Sequence, residues 1–181
     1  GIHSHHSWDN RKTLPNFDIE PPKDLINFLN TIKGVNCVSK KLYNIFSKAG
    51  LDKIFLTENG VDSEIFIQKY NFYENDKFNI GFSGNANNHD WRKGFSEFII
   101  PASEIENVNL VYASNLGDNL IKLNEMPKFY NKLDAYICAS SSEGFSLSVL
   151  EASATGIPVI STKVGGCEDL IQDNYNGFLV D

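Results

Sequence analysis

Two glutamates eight positions apart, Glu143 and Glu151, stand in the run SSSEGFSLSVLEASATGIPVI, residues 140–160. A carboxylate offers two acceptor oxygens, which suits the paired hydroxyls of a ribose, at about 1.5–3 kcal/mol for each bond to a charged group. Glu143 sits between serine and glycine, where a structural role is hard to find. Glycines at 84, 144, 165 and 166 let backbone N–H groups come close to a ligand. Arg92 and Lys93 put positive charge beside one of these loops. The set suits a ligand that joins a diphosphate to a diol. Plainer readings stand beside it. Ser148 and Glu151 have the spacing of a capping box, in which the glutamate serves its own helix. Loop glycines are ordinary punctuation, and Arg92 and Lys93 can be solvated charges.

The positioning elements follow from pattern. An apolar run at 135–139 (AYICA) stops at the serines; a helical stretch follows, ended by Gly156; Pro158 opens another apolar run. That order is strand, polar loop, helix, strand. Three loops share the design: GFSGNANNHDWRKG after FNIGF, SSSEGFS after AYICA, and STKVGG after IPVIS. In a right-handed parallel sheet such loops fall on one edge, where ligands bind. Helix N-termini there favour an anion by about 0.3–1 kcal/mol each at exposed sites.

The remaining chain predicts helices over 24–32, 40–49, 91–100 and 126–133, with Ser39 capping the second and Pro101 ending the third. Strands are expected at 35–38, 53–56, 78–82, 108–112, 157–161 and 177–180, and loops over 83–90 and 114–124. A short helix is expected near 168–172. Strands alternating with helices predict an α/β fold with a parallel sheet flanked by helices. The polar stretch 68–77 reads as a linker. The expected division is 1–70, linker 71–77, and 78–181.

The chain has 181 residues, is 41% hydrophobic and carries a net charge of −7. That supports a folded core and argues against broad nucleic-acid binding. No apolar run approaches the roughly 20 residues of a membrane span. Cys37, Cys138 and Cys167 are odd in number and far apart, and read as reduced thiols in a cytoplasmic protein. The opening HSHHSWDN, with His3, His5 and His6, could be a metal cluster, a tag remnant or an active-site loop. It lacks further ligands at zinc spacing, and a polar loop after a strand is preferred. Both ends look cut, and a fragment of a longer protein is expected.

The residues resemble the family 4 retaining glycosyltransferases of the GT-B fold. EGFSLSVLEASATGIPVISTKVGG is similar to that family's sugar-donor signature, with the glutamate spacing kept. GFSG with the later Lys93-Gly94, MPKFYNKLDAYICAS, NGVD with Phe66, and NCVS before a helix extend the likeness over most of 35–180. GT-B implies two Rossmann-like units. Residues 1–70 would be the end of the first, acceptor-side unit and 78–181 an incomplete second.

Carried over by position, the resemblance implies that Glu151 holds the ribose of a nucleotide-sugar donor. Glu143, with Gly144, Phe145, Ser146 and Leu147, would meet the sugar and phosphates. Lys93 would bind the diphosphate and Gly84 would let it approach. His3 would lie near the sugar, with His5 and His6 competing for that place. Asn85 departs from the arginine usual after this glycine, and Arg92 is expected to compensate. The implied reaction moves a sugar from a nucleotide diphosphate to a carbohydrate or lipid-linked acceptor with retention. It would serve glycan or polysaccharide synthesis and need no cofactor or metal, and peripheral contact with the inner membrane face is compatible with it. The 181 residues alone are expected to be poorly active. A non-catalytic nucleotide-sugar-binding subunit, or an epimerase or hydrolase on the same fold, is the alternative.

Overall fold

The structure is a computed structural model and describes residues 20–69, 76–115 and 119–181. Helix α1 (Lys23–Thr31) begins after Pro22, and α2 (Lys40–Lys48) begins at Ser39, whose hydroxyl accepts from the Leu42 amide. Strands β1 (Val35–Cys37) and β2 (Ile54–Leu56) pair in parallel as a small sheet. Ile26, Leu29, Leu42 and Phe46 bury the apolar faces of both helices against it. These boundaries agree with the sequence reading to within about two residues, because Pro22, Ser39 and Gly50 mark them.

The larger sheet holds β3 (Phe78–Gly84), β4 (Val108–Ser114), β5 (Ala135–Cys138), β6 (Val159–Thr162) and β7 (Gly177–Val180). Its order is β4-β3-β5-β6-β7, and every pairing is parallel. The chain runs outward from β3 to β4, returns to β5 on the other side of β3, and then continues to β7. The direction of winding therefore reverses between β3 and β5. Ligands bind outside the carboxyl ends of strands at such a point. The expected linker between the two sheets lies mostly outside the described residues.

Helix α6 (Leu147–Ala154) and helix α5 (Met126–Tyr130) cover one face of this sheet through Tyr130, Tyr136, Val149 and Ala152, all buried. The other face is covered near β3 by Phe82, Phe95 and Ile99. Beyond them it is open as an apolar trough of about 730 Å³, lined by Ile80, Ile137, Ile160 and Val180 with Trp91 and Phe98 at its wall.

Two expectations fail between 83 and 103. Residues 83–90 do not form a loop: β3 continues to Gly84 and α3 (Ala86–Lys93) starts two residues later. Nor is 91–100 one helix. Gly94 takes the left-handed conformation (φ 64°), a π-helical turn covers Phe95–Ile99, and α4 (Ile100–Ser103) follows. An added Cβ on Gly94 would lie 2.6 Å from the Ala139 carbonyl oxygen, so the chain turns where only glycine fits. Pro101 does not end the helix; it sits in the first turn of α4, where its missing N–H leaves no bond unmade. A 3₁₀ turn at Leu123–Glu125 breaks the expected loop 114–124, and α5 stops at Tyr130, short of 133.

Candidate functional site at the strand reversal

The loop after β5 brings Glu143 back toward the helix that follows β3. One oxygen, Oε1, accepts from Lys93 Nζ at 2.6 Å, from Ser140 Oγ at 2.9 Å and from Arg92 Nη1 at 3.3 Å. The Glu143 and Lys93 side chains are 12% and 15% exposed, so this pairing is well sheltered from solvent screening. Arg92 also donates to the Ser142 carbonyl at 3.1 Å. Both cations predicted as ligand-binding groups thus converge on Glu143. Gly84, with φ 150°, would place a Cβ 3.5 Å from Lys93 Cε, and only glycine holds that backbone easily.

The N-cap position of helix α6 is Ser146, whose side chain makes no capping bond. The amides of its first turn therefore have no acceptor within the helix. The start at Ser146 also removes the capping-box reading. Ser148 is inside the helix, and its hydroxyl meets Ser146 Oγ at 3.1 Å. Glu151 instead accepts from the Tyr130 hydroxyl at 2.8 Å through Oε2. Tyr130 packs edge-on to Tyr136, whose hydroxyl meets Ser83 Oγ at 2.8 Å and its amide at 3.2 Å at the end of β3. Glu151 is thereby linked, through Tyr130 and Tyr136, to the carboxyl end of β3. Burial pushes its carboxyl above the ordinary glutamate value, and the Tyr130 bond opposes that in part. Burial drives the Tyr130 hydroxyl far up as well, so it donates at any working pH.

The Gly165-Gly166 turn supports the Glu143 loop from below. Gly166 N–H donates to the Gly144 carbonyl at 3.1 Å. A Cβ on Gly165 (φ 46°) would lie 2.2 Å from the Glu143 carbonyl oxygen, and one on Gly166 would meet the Phe145 ring. Gly165→Ala is expected to lower stability by about 2–4 kcal/mol, since backbone must move as well as strain, and a thermal melt checks it.

Of the remaining expected residues, Leu147 is exposed, Gly144 and Ser146 are buried, and Asn85 bridges β3 and α3. His3, His5 and His6 lie outside the described residues. Sequence reasoning missed Tyr130, which is 21 residues from Glu151 with no periodic relation to it. It also missed Ser140, whose i, i+3 spacing to Glu143 was the available signal. Cys138 and Cys167, distant in sequence, are buried side by side, and that neighbour, then burial, pushes the Cys167 thiol up. Among the described residues, no group of three or more acidic, histidine or cysteine side chains could hold a metal. No described helix is long and apolar enough to cross a membrane.

Residues 104–181 match the family profile described as glycosyl transferases group 1. An uncharacterized glycosyltransferase of Methanocaldococcus jannaschii is 25% identical over 99% of this chain and 60% of its own length. The lipopolysaccharide core biosynthesis mannosyltransferase LpsB of Rhizobium meliloti is 37% identical over 39% of this chain and 21% of its own. Among solved structures, sucrose-phosphate synthase from Thermosynechococcus elongatus superposes with TM-score 0.71 at 19% identity, over 86% of this chain and 47% of that one. Anabaena HepE, solved with UDP and glucose, gives 0.63 at 18% identity over 87% and 52%. The chain thus spans 60% or less of the length of each of these relatives. The fold of most of the chain is that of the GT-B glycosyltransferases, and residues 104–181 carry the group 1 glycosyltransferase pattern.

Proposed function

We propose that this chain is the sugar-donor half of a retaining glycosyltransferase that moves a sugar from a nucleotide diphosphate to an acceptor hydroxyl. The observation that carries the reading is the convergence of Lys93, Arg92 and Ser140 on one oxygen of Glu143, beside the uncapped start of α6 and at the strand reversal. Lys93, Arg92 and the α6 amides would hold the diphosphate and stabilise its charge as it leaves. This needs no metal. Asn85 stands where the family usually has arginine, and Arg92, already at Glu143, would take its part. With Oε1 committed to the cations, Oε2 of Glu143 would accept a hydroxyl of the sugar. Glu151, fixed by Tyr130, would accept the ribose diol. The acceptor, of carbohydrate or lipid-linked class, would come from the side of the smaller sheet, in glycan synthesis.

The test is transfer by the longer protein that contains this chain, using a panel of UDP-, GDP- and ADP-sugars, with the product anomer read by NMR. A retained anomer is expected; binding without turnover would make the protein a non-catalytic partner, and an inverted product would remove the retaining mechanism. Lys93→Ala is expected to raise the Kd for the nucleoside diphosphate about tenfold, the size of one charge-assisted bond. An unchanged Kd by calorimetry would take Lys93 out of the site.

A further inference from the structure

We propose that Asp169 is a positioning residue that joins α2 of the smaller sheet to the loop bearing Glu143; the inference rests on the function proposed above. Asp169 belongs to α7 (Cys167–Leu170), yet its Oδ2 accepts from the Lys40 backbone amide at 2.9 Å, 129 residues away in sequence. Lys40 is the first residue of α2, so this amide has no acceptor inside its own helix. Ser39 Oγ serves Leu42 instead. A carboxylate from α7, which connects β6 to β7 of the larger sheet, therefore caps α2. The Asp169 side chain is 10% exposed while that of Lys40 is 60% exposed, with Lys40 Nζ 3.7 Å from Oδ1. The sheltered bond is the one to the backbone.

From Asp169 the linkage runs on without slack. Its own amide donates to the Gly166 carbonyl at 3.1 Å, and Gly166 donates to Gly144 at 3.1 Å. The Gly165 backbone leaves no room for a methyl against Glu143. Beside it, Lys41 Nζ reaches the Lys163 carbonyl at 3.4 Å and Glu168 at 3.5 Å. A shift of α2 relative to the large sheet is thereby passed to the turn beneath Glu143 and Gly144. Asp169 sets the geometry in which that loop meets the diphosphate.

Lys40→Pro deletes the amide proton and keeps the helix, because proline suits the first helical position. The extended backbone of Ser39 (φ −144°, ψ 155°) suits a residue before proline. Lys40→Ala removes only the ammonium, and Asp169→Ala removes the acceptor of the Lys40 amide. The variants are made in the longer protein, and Kd is measured for UDP, GDP and ADP together with KM and kcat for the sugar nucleotide that turns over. Lys40→Pro and Asp169→Ala are each expected to raise Kd and KM about tenfold with kcat changed less than about threefold. The double variant is expected to be no worse than either, and Lys40→Ala to match wild type. Additive effects, an equal effect from Lys40→Ala, or unchanged Kd values overturn the role of Asp169. Should Asp169→Ala fail to fold, Lys40→Pro against Lys40→Ala decides alone. A wild type that binds nucleoside diphosphate but transfers nothing overturns the transferase reading and leaves the Kd comparison standing.

Discussion

Glu151→Gln is expected to weaken binding of the nucleoside diphosphate about ten- to a hundredfold, the loss of one or two charged bonds to a ribose diol. Its melting temperature should stay within about a degree of wild type or rise. Glutamine keeps an oxygen for the Tyr130 hydroxyl, which meets Oε2 at 2.8 Å. It also removes a charge that burial disfavours. The pH dependence follows the same group. Its folded pKa is raised, so the folded protein holds this proton more tightly than the unfolded chain. Stability from Glu151 therefore grows as pH falls through the window between the folded and unfolded values, and declines as pH rises through it. Diol binding runs the other way, because it needs the carboxylate: affinity falls as pH drops through the folded pKa. Glu151→Gln should flatten both dependences. Calorimetry and melting across that window measure them. A lower melting temperature with intact binding would make the residue purely structural.

Glu143→Ala is expected to be the most damaging single change. It leaves Lys93 and Arg92 facing each other without the carboxylate that both now contact. Breaking a sheltered pair by removing one partner costs about 3–5 kcal/mol. For a chain of this size each kcal/mol lowers Tm by about 2–4 °C. Ser140 Oγ loses its acceptor as well. Turnover in the longer protein should fall by at least about a hundredfold, the scale of removing a preorganised electrostatic group. Glu143→Gln separates the two effects: it keeps the Ser140 bond and the side-chain shape and gives up only charge. It should recover part of the Tm and little of the turnover. A Glu143→Ala protein with wild-type Tm and wild-type turnover would reduce this cluster to a surface ion pair.

The parts legible in the sequence were those with local markers. Helix α2 was bounded by Ser39 and Gly50, and the strand–loop–helix around Glu143 by its serines and Gly156. β7 was read at Gly177–Val180 from the apolar run Phe178, Leu179 and Val180. Helix α3 was not legible, since ANNHDWRK has no apolar stripe; Ala86 is buried at its start and Arg92 and Lys93 reach Glu143 at its end. The partner of Glu151 was hidden for a different reason. A capping box is a local pattern, and Ser148–Glu151 satisfies it on paper, but the helix starts two residues earlier and frees the carboxylate for Tyr130. Convergence of Lys93, Ser140 and Glu143 needed the strand order, because β3 and β5 are neighbours only after the chain has crossed from β4.

The apolar trough on the far side of the large sheet bears on how acceptors should be screened. In these 181 residues by themselves Trp91, Phe98 and Val180 around it are 39%, 53% and 44% exposed, an apolar surface of the kind that attracts greasy tails and detergent. Association of a prenyl- or acyl-bearing acceptor with these 181 residues by themselves would therefore not identify an acceptor site. Head-group preference is therefore better ranked on short, water-soluble glycosides.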